Sequence, residues 1–125
     1  MVIENTLTGF RKLIIYQKSK NLVLSIYKAT KTFPKGELFG LVSQMRRASV
    51  SVTANIVEGY SKNSSKEYVH YLTISIGSIT ELEFLLEISK DLGFIDSETF
   101  DNINNELYSI KKMLYGTRKK VRLNI

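Results

Sequence analysis

Read at about 100° per residue, three of the four helical segments in this 125-residue chain carry apolar side chains on more than one side. In the first, Ile15, Leu22, Ile26, Ala29 and Phe33 form one stripe. Leu13, Tyr16, Leu24 and Tyr27, with Lys20 and Lys31 among them, form another on roughly the opposite side. The second places Leu38, Leu41, Met45, Val52 and Ile56 on one face, with Phe39, Val50 and Val57 across from them. The third has Leu72, Ile76, Ile79, Leu82, Leu85, Leu86 and Ile88 and leaves no clean polar side. A four-helix monomer buries about one face per helix, so a doubly apolar helix is central in a larger protein or packed against another subunit. A chain of 125 residues has no second layer to provide that cover. The expectation is a homo-oligomer with the first three helices at its interfaces. The plainer alternative is that the second stripes are scattered exposed residues, which are common on protein surfaces.

The segments are bounded by clear punctuation. Pro34-Lys35-Gly36, the stretch Gly59 to Ser65, and Leu92-Gly93 each break a periodic run. Ser64 followed by Glu67 is a capping-box pattern. Gly93 stands where a left-handed cap needs a residue without Cβ, with Phe94 and Ile95 as its apolar contact, and Asp96 or Ser97 can cap the last helix. Helices are predicted near residues 11–32, 37–58, 65–92 and 97–119. The last has a single seam of Phe100, Ile103, Leu107, Ile110 and Leu114. Short links between long helices make neighbours antiparallel, so the predicted fold is all-α: one up-down four-helix bundle domain over residues 1–125. The absence of cysteine fits a reducing compartment, no leader pattern is visible, and no run reaches the ~18 apolar residues of a spanning helix. A cytoplasmic protein with no membrane partner is expected.

No enzyme signature emerges. The one histidine lies in Glu67-Tyr68-Val69-His70, an E-x-x-H spacing that di-iron bundles use twice, together with further glutamates. Here it occurs once, and Glu67 already serves a cap. Without cysteine or a second histidine the usual triads with a histidine base are excluded, apart from forms built on His70 alone. "GYSKNSSK" lacks the phosphate-loop pattern. Neither catalysis nor a cofactor or metal is expected.

The most unusual stretch is "QMRRASVSVTANIVEGYSKNSS", Gln44 to Ser65. On the wheel Gln44, Ser51, Asn55 and Glu58 share a small, polar side, while Arg46 lies nearer Phe39 and Val57. In the third helix, Gly77-Ser78 would allow close backbone approach, and Glu81 and Glu83 bring charge into an apolar run. Buried charges need partners, and an arginine fork can hold a carboxylate with two bonds. Arg46, Arg47, Asn55, Glu58 and Glu81 are therefore expected to form internal wiring, within a subunit or across an interface. The rival reading turns the arginines towards an anion such as RNA phosphate.

A net charge of +6 favours polyanionic partners. Arg118, Lys119, Lys120 and Arg122 put four positive charges in five residues, and Lys111 and Lys112 precede them by about two turns. Lys20, Lys28 and Lys31 on the first helix alternate with Tyr16 and Tyr27, a mixture able to hold a backbone and stack on unpaired bases. The competing readings are a solvated helix end that complements the helix dipole and a subunit interface with snorkelling lysines. Oligomerisation would multiply each patch and turn modest affinity into avidity.

The segment "FRKLIIYQKSKNLVLSIYKATKTFPKGELFGLVSQMRRASVSVTANIVEGYSKNSSKEYVHYLTISIGSITELEFLL" resembles the four-helix-bundle proteins encoded in intervening sequences of bacterial 23S ribosomal RNA genes. Phe33-Pro34 with Glu37, the block from Gln44–Arg47 to Asn55–Gly59, and Gly77-Ser78 with Glu81-Leu82 carry the likeness. Thr53 stands where many relatives have proline, which should favour a straighter second helix. The resemblance implies an antiparallel bundle assembled as a homopentamer around a central channel, with no known catalytic activity. A similar basic pentameric bundle is an accessory protein of diversity-generating retroelements, where it associates with reverse transcriptase and nucleic acid. Two functions follow as expectations: a nonenzymatic oligomer that binds nucleic acid, RNA before DNA, or an interaction module for a protein such as a reverse transcriptase.

Overall fold

The computed structural model describes residues 7–125; the first six, part of the stretch read for a leader, lie outside the described residues. Among the described residues there are four long helices and no strands: α1 Ile14–Thr30, α2 Ser43–Tyr60, α3 Ser65–Asp91 and α4 Ser97–Arg122. Cross-helix contacts give the register. Ser75 Oγ donates to the Val52 carbonyl oxygen, Ser51 and Ser78 hydroxyls meet at 2.8 Å, and Arg47 reaches Glu81. As the α2 number falls the α3 number rises, so the pair is antiparallel. Glu83 with Lys111 and Thr73 with Arg118 relate α3 to α4 in the same sense. Ser25 with Glu106 joins α1 to α4. None of the described helices is long and apolar enough to cross a membrane.

The caps form where the chain changes direction. Ser64 Oγ accepts the Glu67 N–H at 3.1 Å, and Asp96 Oδ1 accepts the Thr99 N–H at 2.7 Å. That bond holds the Asp96 carboxyl below its ordinary value. Gly93, at φ 79°, closes α3: the Phe94 N–H bonds to the Ser89 carbonyl and the Gly93 N–H to that of Lys90. Ile95 is then buried and Phe94 stacks obliquely on Phe33 at 5.6 Å.

The core is one cluster drawn from all four helices, including Leu22, Ile26, Met45, Val52, Ile79, Leu82, Leu107 and Leu114. In α3 the buried positions Leu72, Ser75, Ile79, Leu82, Leu86 and Ser89 repeat at 3-4 spacing, the seam of antiparallel bundle packing. This corrects the expectation that α3 lacks a polar side. His70, Thr73, Gly77, Thr80 and Glu87 form an exposed outer stripe, interrupted by Phe84. Small buried hydroxyls hold the α2–α3 seam close without orphaned groups, since Ser49 and Ser89 each bond a carbonyl three or four residues back. Among the described residues the Thr53 hydroxyl is the buried side-chain polar group without a partner, and α2 runs on past it without a break.

The predicted helix 37–58 is divided. Leu38–Val42 winds as a π-helical segment, and Gly40 leaves helical geometry at φ −110°, ψ −110°. A π turn holds one residue more than an α turn, so everything before it is rotated by about 100° relative to a continuous helix. Val42 continues the 3-4 spacing of Met45, Ser49, Val52 and Ile56 into the core, Leu41 packs half-buried against it, and Leu38, read from the wheel as a core position, is exposed. Phe39 is turned outward and is 92% exposed. Beside it lie Leu38, Val50 and Tyr27, with the Arg46 guanidinium 4.6 Å from the Tyr27 ring centre.

Candidate nucleic-acid interface

The polar residues of α2 divide into two groups. Arg46 turns to α1, where Nε donates to Thr30 Oγ1 at 3.0 Å and Nη2 to the Tyr27 carbonyl oxygen; among the described residues it meets no glutamate. Arg47 Nη2 donates to Glu81 Oε2 at 3.2 Å, but these side chains are 64% and 41% exposed, so the ion pair is not buried. Asn55 Nδ2 bonds back to the Ser51 carbonyl oxygen at 2.8 Å, and Glu58 faces Lys62 at 3.8 Å in the last turn of the helix. Asn55 and Ser51 thus fasten the α2–α3 seam, while the charged members lie at its edge. Because the pair is exposed, Arg47→Met is expected to change unfolding free energy by less than about 1 kcal/mol in urea denaturation; a larger loss would mean that Glu81 is covered when the protein is assembled.

The lysines and arginines chosen from sequence do not form one patch. α1 spans 17 residues, about 25 Å, so Lys28 and Lys31 at its end lie far from its beginning. The end of α4 lies at the other pole: Lys120 borders one groove with Lys12, Leu13 and Ile14 at the start of α1 and Tyr68 near the start of α3. Arg118, Lys119, Lys120 and Arg122 therefore group with Arg11, Lys12, Lys62 and Lys66, four cations that the sequence reading did not select. What unites them is topology: the starts of α1 and α3 and the ends of α2 and α4 share a pole in an up-down bundle. Glu58 and Glu67 are the acids on these same helix ends. Lys20 is exposed along α1, between the poles, and Lys112 is exposed on α4.

Lys111 is removed from the free basic set. Its Nζ donates to Glu83 Oε1 at 2.8 Å, with the two side chains only 20% and 28% exposed, and Tyr108 donates to the other carboxylate oxygen. The Lys111 hydrogen bond holds the Glu83 carboxyl below its ordinary value, and the same contact raises Lys111. Its charge is therefore spent inside the α3–α4 seam.

Aromatic rings are interleaved with the cations of this pole. Arg118 lies 5.1 Å from the Tyr115 ring centre, Lys62 5.3 Å from that of Tyr71, and Arg11 4.6 Å from that of Phe10. Tyr60 and Tyr68 meet edge to face, and burial pushes the Tyr68 hydroxyl up. His70 and Glu67 are exposed, and among the described residues no set of three or more acidic or histidine side chains is placed to hold a metal.

Comparison with known proteins gives a family and a fold. A family model described as 23S rRNA-intervening sequence protein matches residues 11–116. The crystal structure of a protein with unknown function from the S23 ribosomal protein family of Bacteroides thetaiotaomicron superposes with a TM-score of 0.79 at 26% identity, covering 85% of this chain and 96% of that one. No curated protein matches the chain.

Proposed function

This chain belongs to the 23S rRNA-intervening sequence protein family, a similar solved structure is of a protein with unknown function, and we propose a role from the surface itself: a nonenzymatic cytoplasmic protein that binds nucleic acid, RNA before DNA, at its basic pole. The observation that supports it is the gathering of eight cations from the ends of four helices, with Glu58 and Glu67 as the acids there. A phosphodiester backbone that reaches such a surface releases condensed counterions, so affinity is set largely by electrostatics. In anisotropy titrations of labelled RNA, the logarithm of affinity should fall linearly with the logarithm of salt concentration, with a slope of roughly −3 to −5 if about five phosphates are neutralised. Absence of binding to both RNA and DNA at low salt sinks the reading.

The protein acts as a homo-oligomer, a pentamer in the reading implied by resemblance. Outward-turned Phe39, Leu38, Leu24 and Val50 support self-association, because such apolar surface is stabilised when another copy covers it. A light-scattering mass of one 14.3 kDa chain at working concentration would remove this part. The same apolar surface favours a second reading, an interaction module for a protein partner such as a reverse transcriptase. Co-purification of a protein that persists after nuclease treatment would distinguish it.

A further inference from the structure

The basic pole has a side that faces outward from α3, where cations and rings form one continuous strip. It begins at the end of α2, where the Lys62 ammonium lies against Tyr71. The His70 ring meets Tyr71 edge to face, with centres 5.2 Å apart. One turn further along the exposed stripe, Thr73 accepts a hydrogen bond at 3.2 Å from Arg118 of α4. Arg118 in turn lies against Tyr115, which is 47% exposed. Residues three apart on a helix are surface neighbours, so His70 and Thr73 join the two halves. Lys66 precedes His70 by one turn, and the carboxylates near the strip are Glu58, facing Lys62, and Glu67.

We propose that this strip, Lys62–Tyr71–His70–Thr73–Arg118–Tyr115, is a binding platform for single-stranded nucleic acid, taking unpaired bases on its rings and phosphates on its cations. The inference rests on the nucleic-acid reading above and specifies the ligand of that pole. In a duplex the base faces are hidden in the stack, leaving backbone and groove edges, so rings add nothing to a surface of cations. A ring contributes only when a base is free to lie on it, and such stacking tolerates any sequence. Thr73 and Tyr115 hold Arg118 in place from two sides, which lowers the ordering cost of a phosphate contact.

The test uses the full chain and three labelled probes of equal length: oligo(rU), oligo(dT) and an RNA duplex. Both single strands should bind tighter than the duplex, by about tenfold or more at equal salt. Because the chain has seven tyrosines and no tryptophan, stacking should also quench its intrinsic tyrosine emission. Tyr115→Leu should weaken single-strand binding about fivefold or more, the lower end of what one stacked base contributes, with the salt slope unchanged. Tyr115→Phe should restore it. Arg118→Gln should instead lower the slope by about one phosphate contact. Duplex binding equal to or tighter than single-strand binding, or a neutral Tyr115→Leu, overturns the platform but leaves the basic pole as a nucleic-acid surface. If none of the probes binds, both fail. Preference for oligo(rU) over oligo(dT), or the reverse, identifies which strand the platform takes.

Discussion

Neutralising Arg118, Lys119, Lys120 and Arg122 together by glutamine is expected to reduce nucleic-acid affinity on the order of a hundredfold at about 0.1 M salt, and to flatten the salt slope by up to about three. The size follows from counterion release: each lost phosphate contact on a single strand removes roughly 0.7 from the slope. Lys119, Lys120 and Arg122 are exposed near the end of α4, and only Arg118 is half-buried. The fold should therefore survive, with a modest cost from losing cations that complement the helix dipole, and circular dichroism would confirm retained helicity. The control is the other pole. Replacing Lys28 and Lys31 by glutamine removes two charges about 25 Å away along α1 and should leave the affinity within a few-fold of the original. If the second variant loses binding and the first does not, the interface is misplaced by the length of the molecule.

The two poles explain what could be read from sequence and what could not. The helices and their caps were legible because each depends on residues close in the chain: Ser64 with Glu67, Asp96 with Thr99, and Gly93 at positive φ. The buried seams of α1 and α4 followed from periodicity alone. The basic pole was only half legible, since Arg118–Arg122 is a run that any reading finds, whereas Arg11, Lys12, Lys62 and Lys66 are scattered and meet it only after the chain has folded back three times. A pairwise rule was available: in an up-down bundle, odd helix starts and even helix ends share a pole, so charges there add. Lys111 failed in the opposite sense, because nothing local indicates that Glu83, 28 positions earlier, lies against it. The π turn was invisible for another reason. It changes the helical period itself, and with it the face on which Leu38 falls. Gly40 marks the place, yet glycine there is equally consistent with an ordinary helix.

Glycine is also where the sequence reading was incomplete, and the difference yields a sharp expectation. Close helix approach was assigned to Gly77-Ser78; Ser78 does meet Ser51 across the seam, but a Cβ at Gly77 would meet nothing within 4 Å. At Gly59 an added Cβ would lie 2.9 Å from Tyr68 Cδ1 and 2.9 Å from Tyr71 Cβ, with the Tyr68 carbonyl oxygen at 3.3 Å. Tyr71 Cβ is fixed to the α3 backbone, so relief requires α2 and α3 to separate there rather than a rotamer change. Gly59→Ala is expected to destabilise by about 1–3 kcal/mol, as overpacking does, more than cancelling the gain of up to about 1 kcal/mol that alanine brings to a helix. Gly77→Ala has only the gain and should raise stability by about that amount. Urea denaturation at fixed protein concentration should therefore move the two midpoints in opposite directions from the parent. The sign at Gly77 also bears on assembly. Its Cβ is unopposed within one chain, so a loss of stability there would mean that a second copy approaches the outer face of α3. The single-strand platform on that face, about one to two turns of helix away, would then have to share its surface with a subunit contact.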